Sequence, residues 1–251
     1  MTLAIRVIPT LLCRGRQLVK GKAFNSWRSV GVAAQAVRVH QARQVDELIL
    51  LDISATAEGR GPDLKLVEEL ATECFMPLSV GGGISSIDHV RDLLRAGADK
   101  VVICSAAIED QRFVRTLADK VGNQAIVIAI DVRKDKIGHV VYGRNATKLT
   151  QFHPVWWALR CQGLGAGEIM LTRVEHEGTL SGYDLELVRC VSAALDIPVI
   201  AHGGCGSYEH MLQALEAGAH AVAAGAMFQF TDATPRAAAQ YLAQHGIQTR
   251  L

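Results

Sequence analysis

Two glycine-rich stretches are the first residues in this chain whose type and spacing suit a chemical task. Gly81-Gly82-Gly83 follows the apolar run Met76–Val80, and Gly203-Gly204-Cys205-Gly206 follows Ile197–His202. Without a Cβ, glycine lets backbone N–H groups close on an anion, and a helix opening just afterwards adds a favourable dipole. Each stretch has a small-residue companion one apolar run later, Ser105-Ala106 for the first and Gly225-Ala226 for the second. Either loop alone is explained as well by a tight turn. The pair predicts two phosphate sites and a small-molecule substrate phosphorylated at each end. His202, directly before the second glycines, is a candidate substrate contact.

Other chemistry is sparse. Six cysteines (13, 74, 104, 161, 190, 205) are scattered without a CxxC pair, and no histidine stands at metal-ligand spacing. No metal site and no cofactor are expected, and the thiols read as reduced, in a cytoplasmic protein. Cys13 has no base beside it and is not read as a nucleophile. His40, His89, His153, His210 and His245 fall away from the ends of the apolar runs and read as surface or packing residues. With 26 Lys+Arg against 25 Asp+Glu, there is no basic surplus to draw in nucleic acid. No apolar run approaches the roughly 18 residues of a membrane-spanning helix. Arg6 and Pro9 interrupt the first apolar stretch, so no signal-peptide core is expected.

The cradles must be held by the elements around them. Eight apolar runs, Ile5–Leu12, Glu47–Ile53, Met76–Val80, Lys100–Cys104, Ala125–Asp131, Glu168–Thr172, Ile197–His202 and Ala219–Gly225, predict parallel strands covered by helices. Amphipathic stretches such as Asp63–Cys74, Ser86–Ala96, Gln111–Val121, Tyr183–Leu195 and Ser207–Ala217 lie between them. Ser86 and Ser207 are candidate N-caps, and Gly97 and Gly218 follow helix ends. An offset of 121 residues carries the first glycine loop and its approach, Met76–Gly83, onto Ile197–Gly204. It also carries Glu47 to Glu168, Asp63 to Asp184 and Ala96-Gly97-Ala98 to Ala217-Gly218-Ala219. Two like halves predict one α/β domain over residues 1–251, a single (β/α)8 TIM barrel with a two-fold half-barrel repeat. The polar excursion Val132–Gln151, after the fifth run, is expected as an active-site loop.

Across essentially the whole chain the sequence resembles the cyclase subunit of imidazole glycerol phosphate synthase, HisF. The resemblance rests on Arg6–Pro9, Leu18–Gly21, Asp46–Leu48, Leu51–Ile53, Val80–Ile84, Ala96–Val101, Ala129–Asp131, Gly165–Ile169, Gly182–Asp184 and Gly203-Gly204, in order and at matching spacing. It implies a lyase of histidine biosynthesis in a glutamine amidotransferase complex. A HisH-like glutaminase would dock as a heterodimer below the barrel, and ammonia would cross an interior channel to a bisphosphate ribonucleotide at the top. It implies substrate-binding roles for Lys20, Gly82, Gly83, Ser105, Glu177, Gly203, Gly204, Gly225 and Ala226. It implies two catalytic aspartates, a general acid and a general base for the proton transfers of cyclisation. Asp131 matches one, at the end of the fifth strand; at the other position, ending the first strand, this chain has Leu12. Leucine transfers no proton, and loss of such a group costs about 10²–10⁴-fold in rate.

The mouth departs from the family elsewhere. Cys104-Ser105 follows the fourth strand, Glu175-His176-Glu177-Gly178-Thr179 replaces an Asp-Arg-Asp-Gly-Thr, and His202 replaces a serine. The floor keeps the family's charges: Arg6, Glu47, Lys100 and Glu168 match its ammonia gate, and Asp99 and Gln124 match partner-interface positions. A retained floor under a changed mouth is similar to HisF-like glycosyl amidation-associated proteins of surface-polysaccharide clusters. That likeness implies ammonia delivery to a third, amidotransferase protein that modifies a sugar. An authentic cyclase and a non-catalytic ammonia-channelling adaptor are the competing readings.

Overall fold

The computed structural model describes residues 4–136 and 138–250. It opens with β1 (Arg6–Arg14), a ribbon of β2 (Gln17–Lys22) and β3 (Asn25–Val32), and α1 (Ala33–Ala42). Next come β4 (Leu48–Asp52), α2 (Leu64–Ala71), β5 (Leu78–Gly81), α3 (Ile87–Arg95) and β6 (Lys100–Ile103). The short α4 (Ser105–Glu109) and α5 (Gln111–Val121) lead to β7 (Ile126–Asp135), β8 (Gly138–Gly143), β9 (Lys148–Leu149) and α6 (Pro154–Gly163). The remainder is β10 (Glu168–Arg173), α7 (Leu185–Ser192), β11 (Val199–His202), α8 (Tyr208–Glu216), β12 (Ala221–Ala224), α9 (Ala226–Phe230) and α10 (Pro235–Gln244).

Strands β1, β4, β5, β6, β7, β10, β11 and β12 pair in parallel in that order, and β12 returns to β1. The result is the closed barrel expected from the alternation of elements. The repeat shows in its helix caps. Asp63 and Asp184 accept the backbone N–H groups of Leu66 and Leu187 at 3.0 Å, and Ser86 and Ser207 accept those of His89 and His210. Each satisfies an orphan donor at the start of its helix.

The excursion Val132–Gln151 is not an irregular loop. β7 continues past the barrel rim and pairs antiparallel with β8, from Asp131↔Tyr142 to Asp135↔Gly138. Val132 and Val141 form a buried cross-strand pair at the root of the ribbon, while Arg133 and Lys134 beyond them remain accessible. The β2–β3 ribbon was hidden from composition because its buried stretch, Leu18, Val19 and Lys20, is short and ends in a charged residue.

Side chains alternate in and out along each strand. At the N-terminal ends, Arg6, Glu47, Lys100 and Glu168 form a closed ring of alternating charge. Arg6 bonds Glu47 at 2.6 Å and Glu168 at 2.9 Å, and Lys100 bonds Glu47 at 3.1 Å and Glu168 at 2.8 Å. Ser79 Oγ donates to Glu47 at 2.8 Å, completing that carboxylate's partners. Above the ring the interior is apolar, with Ile8, Ile49, Val102, Val127, Met170 and Ile200 among its buried residues. Removing one partner of a buried ion pair strands the other charges. Glu47→Ala is expected to lower the unfolding free energy by about 3 kcal/mol, measured by urea denaturation. A change within about 0.5 kcal/mol, the size of an ordinary surface substitution, would show that the ring does not stabilise the barrel.

Candidate active site

The C-terminal ends of the strands open into a cavity of about 650 Å³. β7 carries Asp131 to its wall. Asp131 is paired with Thr172 of β10, which is paired with His202 of β11, so three polar side chains stand in a row on neighbouring strands. Burial pushes the Asp131 carboxyl up to about 7, against a 3.6 Å hydrogen bond donated by the Cys104 thiol; the Glu177 carboxylate adds to the rise. A carboxyl held near neutrality can both give and accept a proton at physiological pH. Cys104 itself is pushed well above the ordinary thiol range by the same burial and by Asp131, so it serves as a donor and not as a thiolate.

Leu12 lines the cavity, beside Leu51 of β4. Its neighbour Cys13 turns outward into the core between barrel and helices. The first strand therefore brings a methyl-bearing side chain to the chamber that receives the Asp131 carboxyl.

The expected binding residues separate into two groups. Gly82, Gly83 and Ser105 line the cavity, as does Ala106. Gly82 has φ of +110°, and a Cβ there would stand 2.2 Å from the Asp52 carbonyl, so only glycine fits. The second group, Lys20, Glu177, Gly203, Gly204, Gly225 and Ala226, lies at the same end of the barrel but is absent from the cavity wall. The Lys20 ammonium stands 2.0 Å from where a Cβ on Gly225 would be, and its Nζ has no hydrogen-bond partner. Burial lowers the Lys20 pKa, opposed by the Glu177 carboxylate. The two glycine loops repeat in sequence, but a lysine from a distant ribbon lies against only one of them. The helices α4 and α9 that follow are also only five residues each, too short to contribute much dipole.

His202 lies on the cavity wall with Nδ1 at 3.0 Å from Thr172 Oγ1. Its Nε2 is buried without a hydrogen-bond partner and sits 4.0 Å from Glu177 Oε2. Desolvation lowers its pKa, so the ring is neutral near pH 7. His89 also lines the cavity, unlike the packing role expected for it, and accepts the Ser85 N–H through Nδ1. Residues that sequence reasoning missed are Arg60, Arg144 and Asn145. Arg60 bonds Asp52 at 2.6 Å, Arg144 bonds Glu109 at 2.7 Å, and Asn145 donates to the Ile53 carbonyl. The left-handed backbone of Arg144, Asn145 and Ala146, which turns the β8–β9 tip toward the mouth, left no mark in composition.

Asp99 and Gln124 are exposed at the opposite, N-terminal face, where Asp99 also accepts the Leu78 N–H at 2.8 Å. Among the described residues, no group of His, Cys, Asp and Glu is placed to hold a metal ion, and no helix is long and apolar enough to cross a membrane.

A parallel barrel with its titratable side chains gathered in a cavity at the C-terminal strand ends has the architecture of a TIM-barrel enzyme. Residues 6–234 match the family described as histidine biosynthesis protein. The chain is 42% identical, over 99% of its length and 100% of the relative, to imidazole glycerol phosphate synthase subunit HisF of Chlorobium phaeobacteroides (strain BS1). It is 43% identical, over 99% of both chains, to the same-named subunit of Dictyoglomus thermophilum, and 41% identical, over 99% of this chain and all of the relative, to that of Chlorobaculum tepidum. The chain belongs to the HisF family.

A proton-binding group whose folded pKa is raised destabilises the fold as the solution becomes basic. Between about pH 4 and pH 7 the unfolded chain releases the Asp131 proton and the folded chain keeps it, so stability falls across that window. At about 1.4 kcal/mol per pH unit, Asp131→Asn is expected to raise stability at pH 8 by about 2–4 kcal/mol and to flatten this dependence. Denaturant unfolding of both proteins from pH 4 to pH 8 checks it; parallel profiles would place the Asp131 pKa near the ordinary carboxylate value.

Proposed function

We propose that this chain is a HisF-type synthase subunit that receives ammonia from a HisH-like glutaminase at the barrel floor and uses or delivers it at the mouth, on a phosphorylated acceptor. The observation that carries the reading is the contrast between the floor, where four charges are mutually paired, and the mouth, where Leu12 lines the same cavity as Asp131. Arg6, Glu47, Lys100 and Glu168 serve as the ammonia gate. The apolar interior above them favours a neutral molecule over an ion. Exposed Asp99 and Gln124 contribute to the glutaminase interface. Asp131 is the catalytic acid and base, and Gly82, Gly83 and Ser105 bind phosphate. Lys20, Glu177, Gly203, Gly204, Gly225 and Ala226 shape the rest of the mouth.

With Leu12 in place of the second aspartate that the family resemblance implies, the acceptor chemistry differs from cyclisation of the histidine intermediate, and amidation of a surface-polysaccharide sugar, passed on to a third protein, is the fitting role. The authentic cyclase is the second reading, favoured by the names of the full-length relatives and by an Asp131 carboxyl held near neutrality.

The purified chain, mixed with the histidine-pathway bisphosphate ribonucleotide and excess ammonium salt at alkaline pH, is expected to consume little of that substrate. Leu12→Asp is expected to raise turnover at least about a hundredfold, the lower range for restoring an acid or base. Robust turnover by the unaltered protein would establish the cyclase reading instead. Failure of any HisH-like glutaminase to bind or be activated would remove ammonia delivery altogether.

A further inference from the structure

The floor of the barrel repeats in its backbone and differs in its side chains. The offset of 121 residues carries Gln41 to Gln162, Phe75 to Asp196, Pro77 to Pro198 and Asp99 to His220. The hydrogen bonds that hold the chain below the strands repeat with them. Gln41 Oε1 accepts the Phe75 N–H at 2.9 Å, and Gln162 Oε1 accepts the Asp196 N–H at 2.8 Å. The Pro77 and Pro198 carbonyls accept the N–H groups of Leu48 and Ile169, both at 2.9 Å. Asp99 Oδ2 accepts the Leu78 N–H at 2.8 Å, and His220 Nδ1 accepts the Val199 N–H at 3.3 Å. The scaffold thus asks one thing of residues 75 and 196, a backbone N–H for a glutamine.

Their side chains fare differently. Asp196 is satisfied within the chain, its Oδ2 accepting from Gln162 Nε2 at 3.1 Å. Phe75 is 81% exposed, more than any other large apolar side chain among the described residues. One exposed apolar side chain is ordinary by itself. Here the repeat shows that an aspartate serves the same backbone, so the scaffold does not require the ring. Phe75 stands at the N-terminal face that carries the ring of paired charges, and Pro77 beside it is exposed as well. Burial pushes the Cys74 thiol, next to Phe75, up to about 11, and the Asp99 carboxylate adds to the rise, so ring and carboxylate are near neighbours. In the second half, desolvation and then Arg6 lower the pKa of His220, leaving a neutral imidazole there near pH 7. Aromatic rings are enriched at the cores of protein interfaces, where a few side chains carry most of the binding energy.

We propose that Phe75 anchors the HisH-like glutaminase, entering an apolar socket beside a basic group that faces Asp99, so that the partner is seated by the first half of the floor and not by its repeat. This rests on the reading that a glutaminase docks at the floor, and it adds which half of the floor the partner grips and by what chemistry. A partner turned by half a revolution would bring the same socket to the Asp196 carboxylate, which loses its water on entry without gaining a bond.

Alanine at the two repeat-related positions tests the proposal. The full chain is titrated by calorimetry with each HisH-like glutaminase encoded in the same genome. Phe75→Ala is expected to weaken the complex at least about tenfold, and Asp196→Ala to change it less than about twofold. Phe75→Tyr, which keeps the ring, is expected to stay within about threefold of the unaltered chain. A loss below about tenfold in Phe75→Ala, or an equal loss in Phe75→Tyr, overturns the anchor and leaves docking at the floor standing. An equal loss in Asp196→Ala overturns the preference for the first half. Absence of binding between the unaltered chain and every such glutaminase overturns both this inference and the reading beneath it.

Discussion

Glu47 and Glu168 each accept from both Arg6 and Lys100, so four side chains from four strands neutralise one another at one end of the barrel. Because side chains alternate along a strand, fixing these four as inward-facing fixes everything above them. Two residues further along the same strands come Ile8, Ile49, Val102 and Met170, all in the buried interior cluster. Two further still are Thr10, Leu51, Cys104 and Thr172, the last three on the cavity wall. A one-residue slip of any of these strands would turn a paired charge into the greasy layer outside the barrel. The floor thereby sets the register from which the site at the mouth is built.

The parts of the fold that were readable in the sequence are those governed by local rules. Apolar runs gave strands, and Ser86, Ser207, Asp63 and Asp184 cap the helices that their spacing marks. The closing of the barrel followed from the repeat. The ribbons β2–β3 and β7–β8 escaped because their buried apolar residues are few among polar ones, the cross-strand pair Val132 and Val141 in one and Leu18 and Val19 in the other. The two glycine loops were recognisable, yet the difference between them was not. That difference comes from Lys20, nearly the length of the chain away from Gly225, and no local pattern reports such a contact.

The mouth and floor also answer to different physical demands. A ring of buried charges tolerates little change, since each member is the counter-ion of two others. The mouth is assembled from strand ends and ribbons whose backbone is held independently of what the side chains are. Leu12 and His202 sit on strands whose ladders continue regardless of their identity, so the chamber's chemistry is open to substitution while the barrel remains closed. The family relationship accordingly specifies the scaffold more tightly than it specifies the reaction.

The extension of β7 beyond the rim has a consequence for Asp131. On one side its backbone is paired with Thr172 of the barrel, and on the other with Tyr142 of the ribbon. A residue laddered on both flanks at the lip of a cavity has almost no backbone freedom left, and its single carboxyl is steered further by the Cys104 thiol. Little reorganisation remains when a ligand enters, so the free energy of aiming this group is expended during folding and not during each turnover. With leucine at position 12 of the first strand, Asp131 lines the cavity as a carboxyl that is already pointed.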